Sequence, residues 1–514
     1  MPITSTILDV AETHPEQLAL VGADERLTYS ELVGDSRRMF AVVDELHRAQ
    51  TDPPTPAPET EGIPVTAISA TSAFDASRII AGLAGYRAVS ATIDPRWPLA
   101  HQIGVITTTG IGVVISDSSA LAEALAASAW TGTVISLADF RAREAALAGE
   151  PSARSAPAPT VRDASEPFLM LFSSGTTSNP KAFIKTRQQY RDNVAVSAAH
   201  LEPLPGVATL APGPVSYSLT LYAVIESLAT GGSVHVADEF DPIAMGRRIA
   251  AEAITRVVAV PAVVRALAEA ARRDPERFTG LDLVVTGGAN LPASIRARLG
   301  EILPDTRLIS YYGAAEIGFI GDSREGDGTW ITIYPTIGAQ IRDESGAEVP
   351  EGELGTLWIR AAACSYGYVT GTTEAVLRGA DGWATVDDQA RIENGMLQLA
   401  GRAGDIAITG GHKVSLPEVE RAFETYDTLG EVCAIALDDP ALGGIIVLVI
   451  EDRADTTQGS ADKPALLNHA RARLAPQFVP RRIYRLEQLP RTVGGKIRRA
   501  ETVDLIMDGQ GQRL

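Results

Sequence analysis

A chain of 514 residues is longer than one ordinary domain and long enough to bury a sizeable core in each of two or more. Hydrophobic residues make up 45% and charged residues 21%, a globular composition, and no run approaches the ~20 apolar residues that a membrane span needs. Acidic residues outnumber basic ones 64 to 45, a net charge of −19, which argues against bulk attraction to nucleic acid or anionic lipid and leaves an anionic substrate to local cations. The two cysteines, Cys364 and Cys433, lack a metal-type spacing partner and read as buried free thiols. The N-terminus, MPITSTILDVAETHPE, has no basic stretch followed by an apolar core, so a cytoplasmic protein is expected.

From Met1 to Phe40 the pattern predicts a helix, a short hairpin and a second helix, with Ser30 as N-cap. Ala49–Gly62, rich in Pro and Thr, reads as a surface loop or disordered insert. Strand and helix then alternate: IPVTAISA, FDASRIIAGLAGYRA, VSATID and an apolar stretch at Ile111–Ile115. Such alternation predicts an α/β fold with a mostly parallel sheet covered on both faces. A Pro/Ala/Ser loop, Glu150–Pro167, leads to FLMLF and then to SSGTTSNPKA.

That last stretch is a buried strand running into a loop dense in hydroxyls, glycine and one lysine. The composition suits a polyphosphate site, but the loop lacks the GxxxxGK[ST] spacing and is equally compatible with a solvated polar turn. Beyond it come a helix around Tyr190–His200, a helix ending at Gly231-Gly232 before a strand, and Pro261 opening another helix. A strand Leu283–Val285 meets Gly287-Gly288, and RLISYYGAAEIG reads as a strand followed by a loop carrying Tyr311, Tyr312 and Glu316. Strand ends meeting glycine-rich loops are where open α/β sheets bind ligands.

The segment up to Leu399 reads as short β-rich strands, TLWIR, GWATVDD and MLQLAG. After GRAGD the chain becomes a compact α+β unit ending in the basic stretch PRTVGGKIRRAE. A boundary is expected at Arg402–Asp405, dividing a large domain, 1–402, from a small mobile one, 403–514, with Gly404 as hinge.

The ordered set LFSSGTTSNPKA, YYGAAE, GWATVDD, GRAGDIAITGGHKVSLPEVE and PRTVGGKIRR resembles the adenylate-forming superfamily of acyl-CoA synthetases, aryl-acid ligases and nonribosomal adenylation domains, over nearly the whole chain. The similarity is greatest to bacterial acyl-CoA synthetases. It implies ATP, Mg²⁺ and CoA, or a carrier-protein phosphopantetheine, as reactants. Ser173, Ser174, Gly175, Thr176, Thr177 and Lys181 fall on the family's phosphate loop, with Thr176 and Glu316 at the metal. Tyr312 falls on the adenine-stacking aromatic, with Gly288 and Gly313 beside it, and Asp388 and Arg402 on the ribose grip. Lys496 falls on the catalytic lysine of the small domain, acting with Glu316 and Thr176. Gly410 and Gly411 fall on the pantetheine tunnel, and Tyr217, Ser218, Gly287 and Ala314 on the acyl pocket.

These residue types also make chemical sense by themselves. A carboxylate attacking the α-phosphorus of ATP meets like charge, and charge then builds on pyrophosphate; cations positioned there lower that barrier. Taken singly, Lys181 and Lys496 would be solvated lysines, Asp387-Asp388 an acidic turn, and one of Tyr311 and Tyr312 a core aromatic.

The sequence departs from the family pattern at four positions. Ser178 and Ala182 stand where glycine is usual, Ala315 where many relatives have Thr, and Gly404 where Asp or Lys is common. No aspartate opens PVSYSLTLY, which disfavours an α-amino acid substrate, and the ending PKAF favours an aliphatic over an aromatic acid. The expected partners are a small carboxylic acid and, in the carrier-loading alternative, an acyl carrier protein, with monomer and oligomer both open. A second class of function is a nucleotide-binding scaffold on the same fold that has lost catalysis.

Overall fold

The computed structural model describes residues 3–148, 156–173, 180–289, 291–326, 328–409, 412–424, 426, 429–440, 442–452, 462–492 and 496–514. Two large sheets dominate it. One has six strands, of which Val65–Ser69, Val89–Thr92, Val113–Ser116, Thr133–Ile135 and Pro167–Ser173 run parallel and Lys181–Thr186 closes one edge antiparallel. The other has thirteen strands. Its parallel centre runs through Leu18–Val21, Ser233–Val236, Ala208–Ala211, Arg256–Ala259, Leu283–Thr286 and Arg307–Ala314, and continues into an antiparallel β-rich region.

Buried strands with continuous apolar runs need cover on both faces. In Val113–Ser116, Val113 and Ile115 enter the core between the two sheets, while Val114 enters the core beneath helices Leu99–Thr108 and Ser119–Ala126. The inter-sheet core also takes Leu32, Ile79, Tyr190 and Val224, so the helices Tyr29–Arg48, Ala73–Leu83, Arg187–His200 and Ser218–Thr230 fill the middle layer. A further core packs helices Pro242–Ala251, Pro261–Arg273 and Ala293–Ile302 on the outer face of the thirteen-stranded sheet. Both cysteines are buried free thiols.

Local chemistry sets the element ends. The second helix is capped by Thr28 and not by Ser30: the Thr28 hydroxyl accepts from Glu31 N at 3.2 Å and the Glu31 carboxylate accepts from Thr28 N at 2.8 Å. That reciprocal pair satisfies two orphan donors, which a serine two residues inside cannot do. Helix Ser218–Thr230 ends as expected at Gly231, whose φ of +80° is the left-handed conformation glycine adopts freely. The Ala49–Gly62 stretch is a loop, and its Glu59 accepts from Thr370 N at 3.0 Å, docking it onto the β-rich region.

Two readings of the β-rich region need correction. Tyr311 and Tyr312 lie inside the strand Arg307–Ala314, not in the loop, because the chain reverses only at 315–317 to pair with Gly318–Ser323. GWATVDD is mostly irregular, and the strand begins at its last residue, in Asp388–Glu393. Beyond Asp405 the chain forms a hairpin, Ile406–Thr409 with His412–Ser415, and a four-stranded sheet with cores on both faces.

Candidate functional site

The strand Pro167–Ser173 turns back into Lys181–Thr186, with Ser173 directly opposite Lys181. Ser174, Gly175, Thr176, Thr177, Ser178 and Asn179, between them, lie outside the described residues, as do Gly410 and Gly411. The Lys181 ammonium stands 5.3 Å from the centre of the Tyr368 ring, a cation over an aromatic face.

Tyr368 leads to the next carboxylate. Its hydroxyl donates to Glu316 Oε1 at 3.3 Å. Glu316 sits at the apex of the tight hairpin between Arg307–Ala314 and Gly318–Ser323, yet keeps only 6% of its surface exposed. Gly313 makes the reversal feasible: a Cβ there would stand 2.5 Å from Gly318 O. A buried carboxylate at a turn is costly unless function or a partner offsets it.

Tyr312 points elsewhere. Its hydroxyl donates to Asp388 Oδ2 at 2.5 Å, although three strands lie between the two in the sheet. Burial, with the neighbouring Asp388 carboxylate, holds the Tyr312 phenol far above its ordinary range, so it remains a donor. Burial also raises Asp388 above the ordinary carboxylate range, against the pull of the Tyr312 hydrogen bond, Arg402 and Lys496. Arg402 Nε stands 3.5 Å from Asp388 Oδ1. Tyr311 is the core aromatic of the pair: its ring meets Phe319 edge-on at 4.9 Å and lies against Gly287.

Lys496 arrives from the four-stranded unit. Its turn is stapled by Thr492 N donating to Lys496 O at 2.7 Å and Lys496 N to the Thr492 hydroxyl at 3.1 Å. Arg491 anchors the base of the turn to Glu431 and Glu451, each at 2.6 Å. The residue as a whole is exposed, but protein crowds its ammonium. That desolvation holds Lys496 below the ordinary lysine range, Arg402 adds to the effect, and Asp388 opposes it. Sequence-distant groups at 312, 388, 402 and 496 thus share one electrostatic environment.

Among the remaining candidates, Gly288 is the second residue of the loop after Leu283–Thr286, with φ +78°, and Ala314 ends its strand. Tyr217 is the N-cap residue of the helix that Ser218 begins. Burial pushes the Tyr217 phenol up to about 12, with Asp94 adding to it and Arg96, 6.0 Å from its ring, opposing. Beside it opens a cavity of about 310 Å³ lined by Thr71, Asp94, Arg96, Ser216, Asp238 and Glu239, where strand ends of the two sheets meet. Gly404 lies in the turn Ala403–Asp405 with open space around its Cα.

Tyr368 and Lys185 belong to no motif in the sequence. The only signal was a lysine inside the apolar run AFIK, and no local pattern ties Tyr368 to Glu316.

The family model for AMP-binding enzymes matches residues 67–369, and that for the AMP-binding enzyme C-terminal domain matches residues 418–496. The chain belongs to the AMP-binding enzymes. Over 507 residues it is 26% identical to an uncharacterized acyl-CoA ligase, YhfT, of Bacillus subtilis, covering 97% of both chains. It is 28% identical to a salicylyl-CoA synthase / salicylate adenylyltransferase of a Streptomyces species, over 98% of this chain and 94% of that one. The fold matches the crystal structure of ATP-bound MatB from Rhodopseudomonas palustris with a TM-score of 0.84 at 20% identity, covering 99% and 100% of the two chains. Among the described residues of this AMP-binding enzyme, no helix is long and apolar enough to cross a membrane.

Proposed function

We propose that the enzyme activates a carboxylic acid with ATP, forming an acyl-AMP and releasing pyrophosphate, and then transfers the acyl group to the thiol of CoA. The observation that supports this reading is that Tyr312, Asp388 and Arg402 of the thirteen-stranded sheet share one electrostatic environment with Lys496, which follows the four-stranded sheet's strand Arg482–Leu486. An anionic Asp388 accepts the two ribose hydroxyls, with Arg402 and the Tyr312 hydroxyl holding it in place. Tyr312 presents an aromatic ring to adenine. Lys181 and the hydroxyl-rich 173–177 stretch hold the phosphates, with Ser173, Ser174, Gly175, Thr176 and Thr177 as donors.

Glu316 fits a magnesium ion. It offers a hard oxygen donor, and among the described residues there is no group of three or more His, Cys, Asp or Glu side chains to build an all-protein cage. Magnesium is held in that manner, by one or two carboxylates and the phosphates themselves. When bound with Glu316 and Thr176, it supplies charge neutralisation at the phosphates. Lys496 stabilises the charge that develops as the acid attacks and pyrophosphate leaves, because its ammonium is brought to the nucleotide by a preorganised turn.

Thioester formation needs Lys496 removed and a thiol admitted past Gly410 and Gly411. Rotation of residues 403–514 about Gly404, as a unit separate from 1–402, supplies both changes. The acid is bound near Tyr217, Ser218, Gly287 and Ala314 and is aliphatic on the sequence argument. An aromatic acid is the second reading, favoured by the full-length similarity to a salicylyl-CoA synthase. The place of action is the cytoplasm.

The test is acid-dependent exchange of pyrophosphate into ATP across a panel of aliphatic, aromatic and amino acids, followed by addition of CoA to each hit. Exchange with aliphatic acids and a CoA thioester product are expected. Exchange only with aromatic acids would select the second reading, and none with any acid would leave a nucleotide-binding scaffold.

A further inference from the structure

A lysine inside an apolar strand is almost never fully buried without a partner. Lys185 is 1% exposed, between Ile184 and Thr186 in the edge strand Lys181–Thr186. Its ammonium donates to Ala363 O at 2.6 Å. Burial drags the group down to about 8, the Glu316 carboxylate resists that fall and Arg378 adds to it. An apolar side chain would fill the same space without that cost, so the position calls for a reason to hold a charge.

The residues around it supply one. Segment 361–369 crosses the edge of the six-stranded sheet as a strap. Besides Lys185, it is tied by Gln189 Nε2 donating to Cys364 O at 2.8 Å, Ser365 Oγ to Ile184 O at 2.8 Å and Val369 N to Ala182 O at 2.7 Å. Ser365 N in turn donates to Glu316 O at 2.8 Å, holding the hairpin apex by its backbone. The same strap carries Tyr368, which meets Glu316 through its hydroxyl and Lys181 through its ring. Among the described residues no Lys, Arg or His forms an ion pair with the buried Glu316 carboxylate, and Lys185 is a buried lysine close enough for the two charges to act on each other.

We propose that Lys185 is a positioning residue for Glu316: it fixes the strap that seats Tyr368 against the carboxylate and supplies the internal positive charge that lets that carboxylate stay buried and aimed at the phosphates. The proposal rests on the adenylation reading for what Glu316 does, and on the geometry alone for what Lys185 holds.

The experiment compares wild type with Lys185→Met, Tyr368→Phe, their double variant and Ser365→Ala. It measures the ligand-free melting midpoint, kcat and the ATP KM of pyrophosphate exchange, the Mg²⁺ concentration giving half-maximal exchange, and calorimetric binding of a non-hydrolysable ATP analogue with and without Mg²⁺. Lys185→Met is expected to lower kcat at least tenfold, to raise the half-maximal Mg²⁺ several-fold and to shrink the gain in analogue affinity that Mg²⁺ provides. Tyr368→Phe and Ser365→Ala move the same quantities less, and the double variant is no worse than Lys185→Met alone.

A lower melting midpoint with the Mg²⁺ dependence of binding unchanged would overturn the proposal, as would additive effects in the double variant. If Lys185→Met does not fold, an unchanged Mg²⁺ dependence in both Tyr368→Phe and Ser365→Ala would overturn it equally. Absence of exchange in the wild type would count against the adenylation reading and leave the calorimetric comparison intact.

Discussion

Tyr312 and Asp388 belong to one continuous sheet, with Glu316 at the tip of one of its hairpins, backed by large cores, whereas Lys496 comes from a four-stranded unit with cores of its own. The first group is fixed by partly buried hydrogen bonds, Tyr312 to Asp388 and Tyr368 to Glu316. The second is held at the site by thinner means. Ser415 Oγ donates to Ala400 O, and an exposed pair, Arg265 with Glu431 at 3.5 Å, spans from the helix Pro261–Arg273. Glu431 is the same carboxylate that anchors Arg491 at the base of the Lys496 turn. On the proposed reading, the difference means that the ground for ATP is built on the large sheet, while the charge needed for one of two steps is delivered by the smaller, less firmly attached unit.

The largest expected effect falls on the delivered charge. Lys496→Ala should cut adenylate formation by ~10²–10³-fold, the usual scale for losing one preorganised electrostatic group. Affinity for a non-hydrolysable ATP analogue should stay within a few-fold, since the large sheet makes the grip. Equal exchange by variant and wild type would erase the contrast between the two regions.

Next comes an acid-stability difference within the larger region. His47, whose Nε2 lies 3.0 Å from the Thr66 hydroxyl, is lowered by burial from 6.5 to about 4. The unfolded chain therefore takes up the proton first. The contribution is present above pH 6.5 and is lost as pH falls toward 4, by roughly 3 kcal/mol at most. Replacing His47 with Gln should flatten the fall in melting midpoint over that window; an unchanged slope would show that other groups govern it.

Gly404→Pro should slow thioester formation roughly tenfold while leaving pyrophosphate exchange near the wild-type rate, because in the proposed scheme only the second step turns the hinge. Parallel losses in both steps would place the pivot elsewhere. The smallest effect belongs to Arg265→Ala, which removes an exposed pair worth ~0–1 kcal/mol and should change either half-reaction by no more than a few-fold, less at high salt.

The sequence made the layered α/β architecture legible because strand and helix alternate with their own punctuation, as at Pro261 and Gly231. It misled where two local signals competed. Ser30 looks like a cap, but Thr28 with Glu31 closes the reciprocal pair and wins. YYGAAE looks like a loop because of its glycine, yet Gly313 is there to let a strand fold back within contact of Gly318. Asp388 and Lys496 are marked out by the family resemblance of GWATVDD and PRTVGGKIRR. Lys185 and Tyr368 were not, since their meaning comes from segment 361–369, which crosses a strand some 180 residues earlier in the chain and leaves no periodic trace.

The most direct measurement is the phosphorus NMR spectrum of ATP consumed by the enzyme with Mg²⁺, CoA and an acid found by exchange. AMP and pyrophosphate in equal amounts, with consumption strictly dependent on the acid, are the predicted products. ADP and inorganic phosphate, or consumption indifferent to the acid, would contradict the account.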